Sequence, residues 1–415
     1  MNKIEKLINE LCPDGVEFKE LGEFANVTSA GVDKKIRPDE RKIKLLNFMD
    51  VYRNKYLNKQ IPSMEVTANE NKILKCNIKK GDIFITPSSE VINDIGNSAV
   101  AIEDFPNTVY SYHIMRIRLK NPNIITSMFI NYLFESYYVQ NQINKKAHGI
   151  TRFGLTKTQW EKIKIPIPPL PIQEEIVKIL DNFTELESEL ESELEARKKQ
   201  YEYYKEELLT FGDDEVEWKE LGELCIIGDG LHGTPKYDDL GNYYFINGNN
   251  LKEGKIVFDE KTKKVTDEIY EKHKIDFISG KTIFMSINGT IGNLAFFNGE
   301  DIVLGKSVAY FNILSKNINL RFLYYFLQTN FSKNYYDTQK TGSTIKNLGL
   351  KALRKFKIPI PPIEKQKQIV AILDKFDALV NDISEGLPAE IKARKQQYEY
   401  YREKLLTFKE KKKSE

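Results

Sequence analysis

Ile165-Pro-Ile-Pro-Pro169 is followed by Gln173, Ile176, Val177, Ile179, Leu180, Asp181 and Phe183, and Ile358-Pro-Ile-Pro-Pro362 is followed, at the same spacing, by Gln366, Ile369, Val370, Ile372, Leu373, Asp374 and Phe376. Working outward, Arg197-Lys-Lys-Gln-Tyr-Glu-Tyr-Tyr-Lys-Glu-Glu-Leu-Leu-Thr-Phe211 returns as Arg394-Lys-Gln-Gln-Tyr-Glu-Tyr-Tyr-Arg-Glu-Lys-Leu-Leu-Thr-Phe408, identical at 12 of 15 positions. Upstream, Val16-Glu-Phe-Lys-Glu-Leu-Gly-Glu23 returns as Val216-Glu-Trp-Lys-Glu-Leu-Gly-Glu223. Self-similarity of this kind is the mark of a duplicated unit. The chain is two copies of one globular domain followed by one helical segment, which sets provisional borders at 1–165, 166–212, 213–357 and 358–415.

Between the matched borders the two globular interiors hardly agree. Gly81-Asp-Ile-Phe-Ile-Thr86 stands beside Gly280-Lys-Thr-Ile-Phe-Met285, and Gly149 and Gly342 lie equally far ahead of their proline segments. Period-2 alternation of β-branched and aromatic residues at Ile83–Thr86, Tyr112–Leu119 and Val308–Ile313, broken by Asn, Gly and Asp turns, predicts strands of a mixed α+β domain. One helix is expected near the end of each domain, around Met128–Ile143 and Leu320–Tyr335. Prolines 166, 168, 169 and 171, and 359, 361 and 362 in the second copy, lack backbone donors and predict a rigid extended arm.

A long helix should follow each arm. In the first copy apolar positions run at Ile176, Leu180, Phe183, Leu190, Leu194, Tyr201, Tyr204, Leu208 and Phe211 in alternating steps of four and three. A helix with so polar a face needs a partner, and its own repeat, with Ile369, Leu373, Phe376, Val380, Ile383 and Leu387, is the natural one. Tyr398 and Tyr401 repeat Tyr201 and Tyr204, so these tyrosines are expected as helix-pair and partner contacts rather than base-stacking platforms. The second helix carries four extra residues around Gly386-Leu-Pro388, a stutter with a potential break. The first instead holds a tandem repeat, Glu185-Leu-Glu-Ser, Glu189-Leu-Glu-Ser, Glu193-Leu-Glu-Ala.

Composition bounds the function. With 41% apolar residues among 415, the chain can build two or three ordinary cores. No run of about 18 uncharged apolar residues occurs and Met1-Asn-Lys-Ile-Glu does not begin a signal peptide, so a soluble, cytoplasmic protein away from membranes is expected. Cys12, Cys76 and Cys225 are too few and too far apart for a disulfide framework or, with four histidines, a metal cluster. The net charge of +2 divides into +6 for 1–165, −7 for 166–212, +1 for 213–357 and +2 for 358–415. An acidic central helix repels phosphates, so any contact with nucleic acid belongs on the domains.

The order of domain, Ile-Pro-Ile-Pro-Pro, Gln-x-x-Ile-Val-x-Ile-Leu-Asp-x-Phe and Gln-Tyr-Glu-Tyr-Tyr, all of it then repeated, resembles the specificity subunits of type I restriction-modification systems over essentially the whole chain. Gly386-Leu-Pro-Ala-Glu-Ile391 resembles a segment of that family's helices, although the first copy lacks it. The resemblance implies two similar mixed α/β target-recognition domains, separated by two long antiparallel helices in a coiled coil with pseudo-twofold symmetry. Each domain would read one half of a bipartite, asymmetric site in double-stranded DNA. It implies two methyltransferase subunits and the restriction/translocase subunits as partners, no catalytic role and no cofactor for this chain, with S-adenosylmethionine, ATP and Mg bound by the partners. It also implies that four-residue repeats in the central helix set the unread spacer between half-sites.

Base edges are read by Arg, Lys, Asn, Gln, Ser and Thr side chains. The Gly- and Asn-rich loops supply Ser88, Ser89, Asn93, Asn97, Thr151 and Arg152 in the first domain. In the second they supply His232, Thr234, Lys236, Asn288, Thr290, Ser343, Thr344 and Lys346. Such residues also cap turns, so only some can be readers. Two alternatives belong to other classes. A stand-alone restriction-methylation enzyme would need cofactor binding by the isolated chain, and a coiled-coil scaffold would lack salt-sensitive DNA binding. No catalytic motif supports the enzyme. Asp14, Glu17 and Lys19, with Asp214, Glu217 and Lys219, recur at both domain entrances as a border would. Gly299 to Ser307 is too long for a phosphate loop and its Ile302-Val-Leu304 reads as a strand. There is no Asp- or Asn-Pro-Pro-aromatic methyltransferase tetrad.

Overall fold

The computed structural model describes residues 2–382 and 384–412; Ile383, one of the expected apolar helix positions, lies outside them. By contacts the chain forms two compact units, Met1–Leu190 with Ile391–Glu415, and Glu191–Glu390. The helical end of the chain thus completes the first domain.

In the first unit, strands Ala25–Thr28, Met115–Leu119, Ile83–Ile85, Ser98–Ala101 and Tyr56–Leu57 form one sheet in that order. Met64–Ala68, Arg41–Leu46, Phe105–Tyr110 and Asn77–Ile78 form a second. Side chains alternate faces along a strand, and Ile83-Phe-Ile85 shows what this does here. Ile83 and Ile85 enter a core with the helices, including Phe129, Leu133 and Trp160, while Phe84 enters a core between the sheets with Leu45, Val66 and Tyr110.

The second unit repeats the plan with different residues. Cys225–Asp229, Val308–Ile313, Thr282–Ser286 and Leu294–Phe296 form the first sheet, and Lys264–Val265, Tyr243–Ile246 and Ile302–Leu304 the second. Ile283 and Met285 face one core and Phe284 the other. A parallel pair, Arg41–Leu46 with Phe105–Tyr110, recurs as Tyr243–Ile246 with Ile302–Leu304. The expected strand at Ile302–Leu304 is therefore present.

Two expectations need correction. The proline segments are extended, as expected, but they are paired strands and not linker arms: Lys164–Ile167 pairs antiparallel with Glu17–Glu20, and Lys357–Ile360 with Glu217–Glu220, placing Pro166 opposite Phe18 and Pro359 opposite Trp218. A two-stranded ribbon has unpaired edges, so a proline without an N–H is tolerated there. Pro171 lies in the first turn of the following helix, whose early N–H groups have no intrahelical partner.

The single helix expected at the end of each domain is two. Ser127–Leu133 precedes Tyr137–Lys146, and Leu320–Phe326 precedes Asn330–Gln339. Ser136 and Thr329 cap the second member of each pair, their hydroxyls accepting from Val139 and Ser332 N–H. The distal helix breaks where the Gly386-Leu-Pro segment is expected to break it, into Ile363–Asn381 and Leu387–Leu406. An added Cβ at Gly386 would stand 2.4 Å from the Ala378 carbonyl oxygen, so the chain passes too close for any other residue.

The central helix is one element, Leu170–Leu208. In the first unit Phe183 packs on Tyr401 at 5.6 Å and Tyr398 at 6.3 Å between ring centres, and Glu187 pairs with Lys395 at 3.1 Å. Partner numbers fall as helix numbers rise, so these two segments are antiparallel. Ile176 and Leu180 are buried in the domain core beside Leu405 and Leu406. In the second unit Tyr201 and Tyr204 stack on Phe376 at 6.2 and 5.4 Å, while Ile369 and Leu373 enter that domain's core. The helices thus spend much of their apolar surface on the domains themselves. An amphipathic helix at Asn2–Leu11, not anticipated from the sequence, adds Ile4 to the first core.

Candidate nucleic-acid interface

The site in each unit is built on the loop after the central strand. In the first, Thr86 and Asn97 close the neck of residues 86–97: Thr86 N–H donates to Asn97 C=O at 2.9 Å and Gly96 N–H to Thr86 C=O at 2.9 Å. Asn97 donates its amide to the Asp94 carbonyl at 3.0 Å, so this side chain builds the loop. Ser88 and Ser89 form a short strand against Phe153 and Gly154. Phe153 and Gly154 are one limb of a hairpin over residues 148–154, in which His148 and Gly154 exchange both main-chain bonds. Arg152 donates from Nε to Ser88 Oγ at 3.0 Å, and Ser89 Oγ accepts from Val91 N–H at 3.2 Å. Asn93 and Thr151 remain exposed. Gly154 is required because a Cβ there would meet Ser88 Cβ at 2.9 Å.

The second unit makes the same construction. Ser286 and Asn293 close the neck, and Thr341 and Asn347 exchange main-chain bonds across a hairpin over 341–347. Asn288 bridges to Asn347, and Gly289 N–H donates to Lys346 C=O at 2.9 Å. Lys346 Nζ donates to the Gly342 carbonyl at 2.9 Å. Thr290, Ser343 and Thr344 are exposed on this surface.

A third loop joins each site. Leu231 N–H donates to Leu304 C=O and Lys306 N–H to Leu231 C=O, while Asn288 donates its amide to the Lys306 carbonyl at 3.4 Å. The loop bearing His232, Thr234 and Lys236, all exposed, therefore begins beside the hairpin. His232 Nε2 lies 2.7 Å from Asp229 Oδ2. The corresponding bonds in the first unit run from Val32 N–H to Tyr110 C=O and from Tyr112 N–H to Val32 C=O. They bring in residues that the sequence does not single out: Lys34, Tyr112 and His113, with Lys306 in the second unit. His113 is held below the usual imidazole range by burial and then by the charges of Lys34 and Arg152, which marks a convergence of positive charge. The Lys34-Lys35 pair and Tyr112-His113 lie nearly eighty residues apart, and only the sheet makes them neighbours.

Among the described residues no group of three His, Cys, Asp or Glu is placed to hold a metal ion, and no helix is long and apolar enough to cross a membrane. All three cysteines are free, with burial raising the Cys225 thiol to about 12. Asp14 and Asp214 are exposed, while Lys19 and Lys219 pair with Glu17 and Glu217 at 3.1 and 3.3 Å beside the proline strands.

Two domains of one architecture thus each present Ser, Thr, Asn, Lys or Arg side chains on loops fixed by main-chain bonds, and the two sets of side chains differ. The family is given by comparison with known proteins. The model for the type I restriction modification DNA specificity domain matches twice, over residues 13–197 and 213–393, and the chain belongs to that family. It is 37% identical over 277 residues to the EcoR124I/EcoR124II type I restriction enzyme specificity subunit of Escherichia coli, covering 61% of this chain and 67% of that protein. It is 31% identical over 299 residues to a putative type I specificity subunit of Mycoplasma pneumoniae, covering 67% of this chain and 83% of that one. In fold it is similar to a chain from a type I restriction-modification assembly structure, with TM-score 0.65, 17% identity and coverage of 95% and 98%. The specificity subunit of Mycoplasma genitalium aligns with TM-score 0.51, 16% identity and coverage of 94% and 96%.

Proposed function

We propose that this specificity subunit reads a bipartite, asymmetric site in double-stranded DNA, one half-site per domain, and directs two methyltransferase subunits and the restriction/translocase subunits to it. The observation that carries the reading is the pair of hairpin-and-loop surfaces: one scaffold, two sets of polar and basic residues. Ser88, Ser89, Thr151 and Arg152 on one, and Asn288, Thr290, Ser343, Thr344 and Lys346 on the other, supply different hydrogen-bonding patterns and hence different half-sites. The chain itself is non-catalytic and works in the cytoplasm. S-adenosylmethionine, ATP and Mg are held by the partner subunits.

Exchange of residues 17–165 for the first domain of another family member tests this. Methylation-site sequencing of a host carrying the exchanged chain and its methyltransferase should show one half of the target replaced and the other retained. Replacement of both halves refutes the modular reading. DNA affinity should also fall steeply with salt as neutralised phosphates regain counterions, and methyltransferase, nuclease or nucleotide hydrolase turnover by the rigorously purified chain would overturn its non-catalytic role.

A further inference from the structure

Each hairpin carries, among its polar readers, one aliphatic side chain that the fold leaves in solvent. Ile150 is 95% exposed between Gly149 and Thr151-Arg152, and Ile345 is 67% exposed between Ser343-Thr344 and Lys346. Single exposed apolar residues are common on protein surfaces and need no explanation by themselves. Here the two lie in the same structural element of domains whose interiors differ in sequence, though at different positions along it, Ile150 standing where Ser343 does and Ile345 where Arg152 does, and the element is held by main-chain bonds. In the first unit the His148 and Gly154 main-chain pair closes the hairpin and Arg152 ties it to Ser88. In the second, the Thr341 and Asn347 pair and the bond from Lys346 to Gly342 do so. Gly149 and Gly342, with φ of +143° and +92°, turn the chain just before the polar run. A bulky branched side chain presented this way cannot hydrogen-bond a base edge. The one apolar group exposed on base edges in the major groove is the C5-methyl of thymine.

We infer that Ile150 and Ile345 are specificity-determining residues, each packing on the C5-methyl of a thymine, one in each half-site. The inference rests on the proposed DNA-reading role, and it divides labour within each hairpin. Thr151 and Arg152, or Thr344 and Lys346, bond to polar base edges and phosphate, while the isoleucine distinguishes thymine from cytosine, and an A·T pair from its inversion, by a methyl group alone.

The test uses the full chain and duplexes carrying the target found by methylation-site sequencing, in which each thymine of a half-site is replaced in turn by deoxyuridine. Uracil pairs as thymine does and lacks only the methyl. At one position per half-site the substitution should weaken competition binding by about fourfold, the effect of one buried methyl. Ile150→Ala should lose at least as much on the thymine duplex and should be indifferent to uracil at that position in its half-site only. Ile345→Ala should do the same in the other half-site. Both variants should keep the melting temperature of the parent, since neither side chain is packed. Uracil tolerated at every position, a half-site without an A·T pair, or Ile150→Ala losing affinity equally on thymine and uracil duplexes would overturn the inference; the last result denotes a wedge between base steps. A parent chain without sequence-specific DNA binding would instead overturn the DNA-reading role itself.

Discussion

Tyr132 donates its hydroxyl to Asp181 Oδ1 at 2.6 Å, and forty-nine residues separate the two. Tyr325 donates to Asp374 Oδ1 at the same 2.6 Å across the same sequence distance. The duplicated aspartates each fasten a domain helix to the helix that comes after the proline strand. Beside them Gln173 and Gln366 act alike. Gln173 accepts from Thr126 N–H at 2.9 Å and donates to the carbonyls of Ile124 and Pro168. Gln366 accepts from Asn319 N–H at 2.7 Å and donates to Asn317 and Pro361.

Gln173→Leu strands the part-buried Thr126 N–H and two carbonyls, that of Pro168 in a buried bond, and an unsatisfied buried group costs about 1–3 kcal/mol. The expected result is destabilisation of the first unit by about 3 kcal/mol with the second unit unaffected, read by hydrogen-exchange protection across the chain. Gln366→Leu should invert the pattern. Equal loss in both units would mean that the clamps do not act domain by domain.

Truncation after Glu390 should unfold the first unit and spare the second. Leu405 and Leu406 lie in the first domain's core, and Val16 exchanges main-chain bonds with Lys409 and Lys411 at 2.8 and 2.9 Å. Loss of two buried leucines costs about 2–5 kcal/mol each, comparable to the whole stability of a domain. Protease resistance confined to residues 191–390 is the expected outcome.

Inserting one Glu-Leu-Glu-Ser unit into residues 185–196 adds about 6 Å along the helix and rotates the segment beyond it by about 40°. The apolar pattern is nearly kept, so both half-sites should persist with the unread spacer one or two base pairs longer. A two-residue insertion rotates the distal half by about 200° and should abolish recognition of the joint target. An unchanged spacer after the four-residue insertion, seen by methylation-site sequencing, would remove this segment as the ruler.

His113 is held below the ordinary imidazole value of 6.5 by burial and by Lys34 and Arg152. A DNA phosphate at this cluster favours the imidazolium, so the complex binds the proton more readily than the free chain. Affinity should therefore rise as pH falls through the imidazole range of the complex and level off once the free chain is also protonated. Stability of the free fold moves the other way, because the unfolded chain, with its unshifted imidazole, takes up the proton first. His113→Gln should flatten the affinity profile in titrations at constant salt.

The sequence by itself determined the duplication, the strands at Ile83–Ile85 and Val308–Ile313 and the break near Gly386. These are local signals: period-2 alternation, repeated motifs and residues with restricted backbones. The hairpin residues Thr151, Arg152, Ser343, Thr344 and Lys346 were legible too, as polar runs after a glycine. Tertiary structure alone decided the rest. That the proline segments are strands depends on Glu17–Glu20 and Glu217–Glu220 about 140 residues away, and a strand without its partner has no distinguishing pattern. That Leu405 and Leu406 belong to the first domain, and that Lys34, Tyr112 and His113 share a surface with Arg152, is set by hydrogen bonds and burial between distant segments. Side-chain chemistry names what a residue can do, but only chain closure over such distances sets which residues do it together.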